Sequence, residues 1–331
     1  MYIIAEIAQA HDGSLGIAHS YIDALASTGV DAVKFQTHIA YAESSALEPF
    51  RVKFSYEDAT RFDYWQRIEF TADQWAGIKL HCEQKDLEFI SSPFSCAAVD
   101  LLENLYIKKY KIGSGEVSNW LMLDKIAHTG KDIILSSGMS SLGDLDNTID
   151  FLKPFGNKLS LLQCTTAYPT IPGEWGLMGI PLLKQRYQVP TGFSDHSGDI
   201  FSCLAAVALG AEIIEFHAVF DKQMFGPDAK ASLTMSQIKK LVEGIKAIGI
   251  DLRTDINKEF LEKFADLKKI FEKSLAVNKV LESGHIIKME DLEAKKPAGH
   301  GIAAKDFQKV IGKSINKKKL AWDFLQPEDI D

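Results

Sequence analysis

The chain of 331 residues carries 37 Lys+Arg against 45 Asp+Glu, a formal net charge of −8, and is 46% hydrophobic and 25% charged. This composition is too apolar for disorder, its mild acidity argues against nucleic acid as a partner, and no apolar run reaches the ~18 residues that cross a bilayer. Cys82, Cys96, Cys164 and Cys203 stand alone without a CxxC pair, and the opening MYIIAEIAQAHDG carries Glu6 inside its apolar stretch, so the expectation is a cytoplasmic protein with reduced thiols and no signal peptide.

From the first residue, short apolar runs alternate with longer amphipathic ones. Strands are expected at 2–8, 32–37, 88–94, 110–116, 132–139, 159–165, 190–196 and 212–219, each rich in Ile, Val, Leu or Phe and suited to burial on both faces. Helical patterns fall between them, at 17–29, 71–86, 118–130 and 199–210, several ending in a stop glycine (Gly29, Gly130, Gly210). Thr71, with Asp73 two residues on, is expected to cap its helix. The stretch from Gln36 to Glu88 exceeds one helix, so an insertion rich in aromatics (Tyr41, Phe50, Phe54, Tyr56, Phe62, Tyr64, Trp65) is expected to fold over one face.

Eight strands alternating with helices predict a (β/α)8 TIM barrel over 1–255. An open doubly wound sheet competes, but AEIAQAHDGSLG lacks the GxGxxG turn that such a fold normally shows. A helical linker is expected over 256–274. The remainder, 275–331, has short strand-like pieces and turn residues and reads as a second domain too small to be very stable alone. Within it, Lys317-Lys318-Lys319 reads as a solvated face.

In a β/α barrel, chemistry gathers at the carboxyl ends of the strands, and polar residues concentrate there: Glu6; Lys34 and Gln36; Ser91-Ser92; Lys111, Ser114 and Glu116; Ser136-Ser137; Gln163, Thr165, Thr166 and Tyr168; Ser194-Asp195-His196; Glu215 and His217. Lys34 and Gln36, or Ser114 and Glu116, are two apart and would share a strand face. Lys34 and Lys111 beside Ser92, Ser114 and Ser194 suggest an anion pocket. His196 and His217 end neighbouring strands and, with Asp195, Glu215 or Asp228 close by, would suit a divalent ion such as Mn²⁺, Zn²⁺ or Co²⁺ with open positions. Glu6 and Glu116 either pair internally with Lys34 and Lys111 or bind hydroxyls and move protons. Cys164 reads as a buried thiol.

These same pieces carry a resemblance. IIAEI (3–7), HDG (11–13), DAVKFQT (31–37), SSPFS (91–95), YKIGSGE (110–116), ILSSGM (134–139), QCTTAYPT (163–170), GFSDHS (192–197), IEFH (214–217) and GPDAKASL (226–233), in this order, resemble the sialic acid synthase (N-acetylneuraminate synthase) family along nearly the whole chain. The tail resembles that family's antifreeze-like (SAF) domain. The resemblance implies a metal-dependent condensation of phosphoenolpyruvate with an aldose, giving a nonulosonic acid and phosphate. By position it implies Lys34, Ser92, Lys111, Ser114 and Ser194 for phosphoenolpyruvate, and His196 and His217 for the metal, Mn²⁺ first with Mg²⁺ or Co²⁺ as alternatives. It implies Glu6 and Glu116 for catalysis, Gln36, Thr166, Tyr168 and Asp228 for the sugar, and a domain-swapped homodimer in which Lys296 of one chain reaches the partner's sugar.

The chain departs from the family pattern at Ala10, Asp12, Gln163, Thr166, Phe216, Ala229 and Lys296. These positions spare the anion and metal sets and fall on the sugar side. The expected acceptor is accordingly an amino sugar: N-acetylmannosamine, a diacetamido-trideoxyhexose or a phosphorylated sugar. Two other readings are a Schiff-base aldolase using Lys34 or Lys111 and a non-catalytic sugar-binding protein.

Overall fold

A computed structural model describes residues 1–254 and 262–331. The eight apolar runs become eight parallel strands: β1 Tyr2–Glu6, β2 Ala32–Thr37, β3 Glu88–Pro93, β4 Lys109–Ile112, β5 Asp132–Ser136, β6 Leu159–Cys164, β7 Thr191–Asp195 and β8 Ile213–Val219. Each pairs with the next, and β8 returns to β1 with His217 opposite Glu6, so the sheet closes as a (β/α)8 barrel. The helices are α1 Leu15–Ala26, α2 Ala40–Glu43, α3 Arg61–Ile68, α4 Ala72–Gln84, α5 Cys96–Asn104, α6 Trp120–Ala127, α7 Leu142–Leu152, α8 Gly179–Tyr187 and α9 Phe201–Ala208. A two-residue strand, β9 Leu233–Thr234, pairs in parallel with the end of β8 before α10 Met235–Asp251.

Side-chain oxygens start most of these helices. Ser14, Ser95, Asn119 and Ser141 each accept an N–H from the first turn, satisfying a donor that has no partner inside the helix. Thr71 does the same, but Gln74 rather than Asp73 completes its capping box. The expected shared face of Ser114 and Glu116 does not form. β4 stops at Ile112, and Ser114–Glu116 is a 3₁₀ turn, where period-two alternation no longer holds.

The strands' alternation sorts residues into layers. Outward-pointing Ile3, Val33, Phe35, Tyr110, Ile112 and Leu135 join the main core with the surrounding helices. Inward-pointing Ile4, Ala32, Ile90, Ile134, Leu162 and Ile213 form a separate apolar plug inside the barrel, each large member contributing about 1.5–3 kcal/mol by burial. Two residues further along, five of these six inward positions turn polar (Glu6, Lys34, Ser92, Ser136 and Glu215), and the sixth is Cys164. In the insertion, Trp65 and Tyr64 pack with Phe50, Phe54 and Phe62 as expected, whereas Tyr41 and Tyr56 are exposed.

The chain divides into two units, residues 1–254 and 255–331. The expected linker over 256–274 falls partly on 255–261, outside the described residues. The second unit holds a short helix, α11 Ala265–Phe271, then β10 Ser274–Val277, antiparallel to β11 Leu292–Lys295. Leu275, Val277, Leu281, Ile287, Val310, Ile315 and Leu325 form its core. Two buried aspartates brace it. Asp291 pairs with Lys279 and His285, each at 2.6 Å, and Asp329 with Lys317 at 2.7 Å and Lys319 at 2.6 Å. The lysine run is therefore not simply a solvated face: Lys319 is buried, and Lys318 turns to Glu282.

Gly192 marks where the barrel interior is tightest. A Cβ there would overlap the carbonyl oxygen of Ile213 and approach Ile213 Cβ and Leu162 Cδ2 to 2.7 Å. Backbone of the neighbouring strand cannot move aside without breaking the ladder. Gly192→Ala is expected to destabilise the barrel by about 1–3 kcal/mol, read as a lower midpoint in denaturant titration; an unchanged midpoint would contradict this packing.

Candidate active site

The inward polar layer encloses a cavity of about 150 Å³ at the carboxyl ends of the strands, which adjoins a mouth of about 340 Å³. Gln36, Phe94, Thr166, Tyr168 and His217 line both. A larger cavity of about 710 Å³ beside α7 and α8 holds no convergent lysines or imidazoles, and its Asp146 and Arg186 satisfy one another at 2.5 Å.

Four buried charges form the floor. Lys34 Nζ lies 2.8 Å from Glu6 Oε1 and 3.4 Å from Glu215 Oε1, and Lys111 Nζ lies 3.1 Å from the same Glu215 oxygen. Ser194 Oγ donates to that oxygen at 3.1 Å. The expected pair of Glu6 with Lys34 forms, whereas Lys111 pairs with Glu215 and not with Glu116. Glu215, two residues before His217 on the same face, is the shared counter-ion of both lysines.

These contacts tune the charges in opposite directions. Burial alone would raise the Glu6 pKa, but Lys34, His217 and Lys111 hold it well below the usual carboxylate range. Burial opposes charge on Glu215 too, and Lys111 and Lys34 outweigh it, keeping the group ionised. For Lys34, Glu215 and Glu6 overcome desolvation and raise the pKa. For Lys111, desolvation prevails, aided by repulsion from Lys34, and the pKa is lowered.

Around this floor, hydroxyls point inward. Ser92 Oγ, Ser136 Oγ and Thr166 Oγ1 are buried and lack a hydrogen-bond partner among the described residues, as does Glu215 Oε2. Such groups are costly unless something engages them. Ser114 Oγ, off the end of β4, instead accepts from the Gly138 N–H at 3.0 Å and faces Cys164 Sγ at 3.6 Å. A Cβ at Gly138 would displace Thr166 Oγ1 and Ser114 Oγ. Cys164 is buried, as expected; burial raises its pKa, but His196 and neighbouring donors turn the net shift downward.

His196 and His217 do come together, with ring centroids 5.2 Å apart. His196 Nδ1–H donates to the Thr165 carbonyl at 3.1 Å, which fixes the tautomer and leaves Nε2 with its lone pair. His217 Nε2 lies 3.2 Å from Glu6 Oε2, and its Nδ1 lies 4.0 Å from Asp228. Asp195 does not join them: it accepts from Ser197 and Ser202 on the outer side. Among the described residues no group of three or more His, Cys, Asp or Glu is arranged around a metal position. The donor set, two imidazoles, fits an ion whose remaining positions are filled by water or substrate oxygen.

Glu116 stands apart from the four charges. It accepts from Asn119 at 2.7 Å and lines the mouth, and burial raises its pKa. Gln36 Nε2 donates to Glu6 Oε1 at 2.8 Å, which leaves Gln36 Oε1 to accept from Gln9 and His38, each at 3.1 Å. His38 in turn meets Glu43 at 2.6 Å and is sandwiched between Trp65 and Phe94, at 3.9 and 4.5 Å. Tyr168 packs 4.2 Å from the His196 ring and carries the Arg51 guanidinium 4.0 Å over its own. Arg51 also pairs with Asp228 at 2.7 Å. Lys296 belongs to the second unit, where its amine lies 4.7 Å over Phe271.

The sequence shows part of the mouth: the expected Gln36, Glu116, Thr166, Tyr168, His217 and Asp228 line it with the aromatics of the insertion, but its other charged residues carry no such signal. His38 follows Gln36 by two residues, a signal that was legible; Glu43, Glu48, Arg51 and Arg61 sit in irregular or short helical segments where no period marks them. Ser136 ends its strand, and its inward register with Ile134 places it in the cavity.

Comparison with known proteins shows the family and the fold. The chain is 36% identical over 321 residues to the N,N'-diacetyllegionaminic acid synthase of Campylobacter jejuni, covering 95% of this chain and 96% of that protein. It is 30% identical to the human N-acetylneuraminate-9-phosphate synthase over 100% of this chain and 92% of that one. Among solved structures, an N-acetylneuraminic acid (sialic acid) synthetase from Leptospira borgpetersenii, in complex with citrate, superposes with a TM-score of 0.71 at 27% identity, over 81% of this chain and 90% of that one. The pattern of the NeuB family matches residues 21–256, and the chain belongs to that family, the sialic acid synthases.

Proposed function

We propose that the protein condenses phosphoenolpyruvate with an amino-sugar aldose and water, giving a nonulosonic acid and inorganic phosphate. The observation that carries this reading is the floor of the cavity, where two buried lysines share one carboxylate beside serine hydroxyls with no partner among the described residues. Such a floor suits a small polyanion held at more than one end. The names of the relatives supply the product class.

In this reading Lys34 and Lys111, with Ser92, Ser114, Ser136 and Ser194, hold phosphoenolpyruvate against the floor. Its C3 forms a bond to the aldehyde carbon of the acceptor while positive charge develops at C2. Glu6, fixed as an anion by Lys34, Gln36 and His217, stabilises that charge. Water adds at C2 and gives its proton to Glu116, whose raised pKa suits a group that gains and returns protons; that proton passes to the alkoxide left on the former aldehyde oxygen, and the C–O bond to phosphate breaks as the C2 hydroxyl yields its proton to the departing phosphate and becomes the ketone. Gln36, Thr166, Tyr168 and Asp228 orient the acceptor. His196 and His217 would hold a divalent ion, Mn²⁺ first, which supplies Lewis-acid polarisation of a carbonyl oxygen when bound. The second unit as an SAF domain, a swapped homodimer and the contact of Lys296 with the sugar belong to the same reading, supported by relatives that match through the whole chain.

One observation favours a second reading. The lowered pKa of Lys111 is what a Schiff-base nucleophile needs. Against it, the amine is 3.1 Å from the Glu215 carboxylate. Borohydride trapping with pyruvate separates the two: a covalent adduct on Lys111 would establish the aldolase, and none is expected.

The direct test is phosphate release from phosphoenolpyruvate across a panel of aldoses with Mn²⁺ added. Release with at least one amino sugar is expected, and none with any aldose would refute the synthase. His217→Ala is expected to abolish turnover while circular dichroism stays unchanged. Because anion binding needs protonated Lys111, and its pKa lies below the ordinary 10.5, the KM for phosphoenolpyruvate should climb as pH rises towards that value, while the more basic Lys34 stays charged. Finally, Glu215→Gln leaves two buried ammonium groups without their shared carboxylate, an expected loss of about 3–5 kcal/mol. Added phosphoenolpyruvate should then raise the Tm of the variant more than that of the wild type.

A further inference from the structure

His38 lines the mouth as a buried side chain, and both of its ring nitrogens face oxygen. Nδ1 lies 2.6 Å from Glu43 Oε1, and Nε2 lies 3.1 Å from Gln36 Oε1. Glu43 Oε2 accepts from the Ile39 N–H at 3.4 Å, so this carboxyl serves as an acceptor at both oxygens. Imidazole is ordinarily the stronger base of such a pair, and a carboxylate only accepts, so Nδ1 carries a hydrogen.

The polarity of Gln36 decides the other nitrogen. Its Nε2 donates to Glu6 Oε1 at 2.8 Å; the reverse orientation would set an amide oxygen against a carboxylate. Gln36 Oε1 is therefore an acceptor, and it receives the Gln9 Nε2–H at 3.1 Å. His38 Nε2 must then also carry a hydrogen. Two N–H groups on one imidazole make a cation.

The surroundings suit that charge. The Trp65 and Phe94 rings lie within 18° and 14° of parallel to His38, and aromatic faces attract cations. Glu43 supplies the counter-charge, and Glu116 is a second carboxylate at this mouth. Nearby His11 stays neutral: burial, then the charge of His38, push its pKa down to about 3, and its Nδ1 accepts from the Gly13 N–H at 3.1 Å.

We propose that His38 is a positioning residue held as an imidazolium, which locks the Gln36 amide with its nitrogen towards Glu6. The second N–H of that amide has no acceptor among the described residues, and the side chain lines both mouth and cavity. Gln36 is then a fixed donor to an oxygen of the acceptor substrate, and Glu6 keeps its orientation. Without the ring's N–H, the amide is free to turn over and present its oxygen to Glu6. The catalytic part of this inference rests on the synthase reading; the charge on His38 does not.

The charge is read by nitrogen-15 NMR of the full-length protein with labelled histidine at neutral pH, the His38 signals being assigned by their loss in His38→Phe. Two protonated ring nitrogens are expected, and a bare nitrogen overturns the proposal. Turnover tests the positioning. Phenylalanine keeps the stacking and removes both N–H groups, so His38→Phe should lower kcat by about tenfold or more, with affinity for phosphoenolpyruvate unchanged. An unchanged kcat, or an equal loss of phosphoenolpyruvate affinity, overturns the role. Because His38 acts through Gln36, adding His38→Phe to Gln36→Leu should lower kcat little further than Gln36→Leu alone, whereas fully additive losses contradict that route. No phosphate release from the wild type with any aldose removes the synthase reading and the positioning role with it, while the NMR result decides the charge separately.

Discussion

Everything in this site depends on two ammonium groups held inside a barrel by fewer carboxylates than each would claim alone. Lys34 and Lys111 are each 2% exposed, and isolated charges at such depth would be prohibitively costly. Glu215 resolves this by serving both, with Glu6 on the far side of Lys34. The cluster is neutral in sum yet unevenly shared. Lys34 has two partners and keeps its proton firmly, while Lys111 has one and holds its proton less firmly.

Barrel register creates the cluster. Glu6 lies opposite Lys34 on one side and His217 on the other, while Ser194 lies opposite Glu215. Neighbouring strands thus deliver complementary groups at a single level, immediately above an apolar plug that has no polar atoms to compete. Gly192 lies in the plug, where a side chain would collide with Ile213 and Leu162.

Much of this was legible in the sequence wherever a strand held its period. Lys34, Gln36, Ser92, Lys111, Glu215 and His217 fall on inward positions because alternate residues of a strand share a face. Legibility ended where strands ended. Ser114 and Glu116 left the period at a 3₁₀ turn and separated, and Asp195 points outward to Ser202 although its neighbour His196 faces in. Partner choice was also hidden, since spacing tells which groups share a level and not which of them meet. The mouth was least readable of all: Arg51, Glu48 and Arg61 are brought together by packing among aromatics between β2 and α4, and long-range packing leaves no local periodic trace.

The sandwiched imidazole of His38 has a practical consequence for anyone re-engineering this scaffold. Through Gln36 it ties the outer wall, at Glu43 and Trp65, to the deep carboxylate of Glu6. Wall and carboxylate therefore make one mechanical part. A loop transplanted from a cousin with different tastes would have to travel with its own histidine and glutamine, or the graft would change what enters and slacken what reacts in the same stroke.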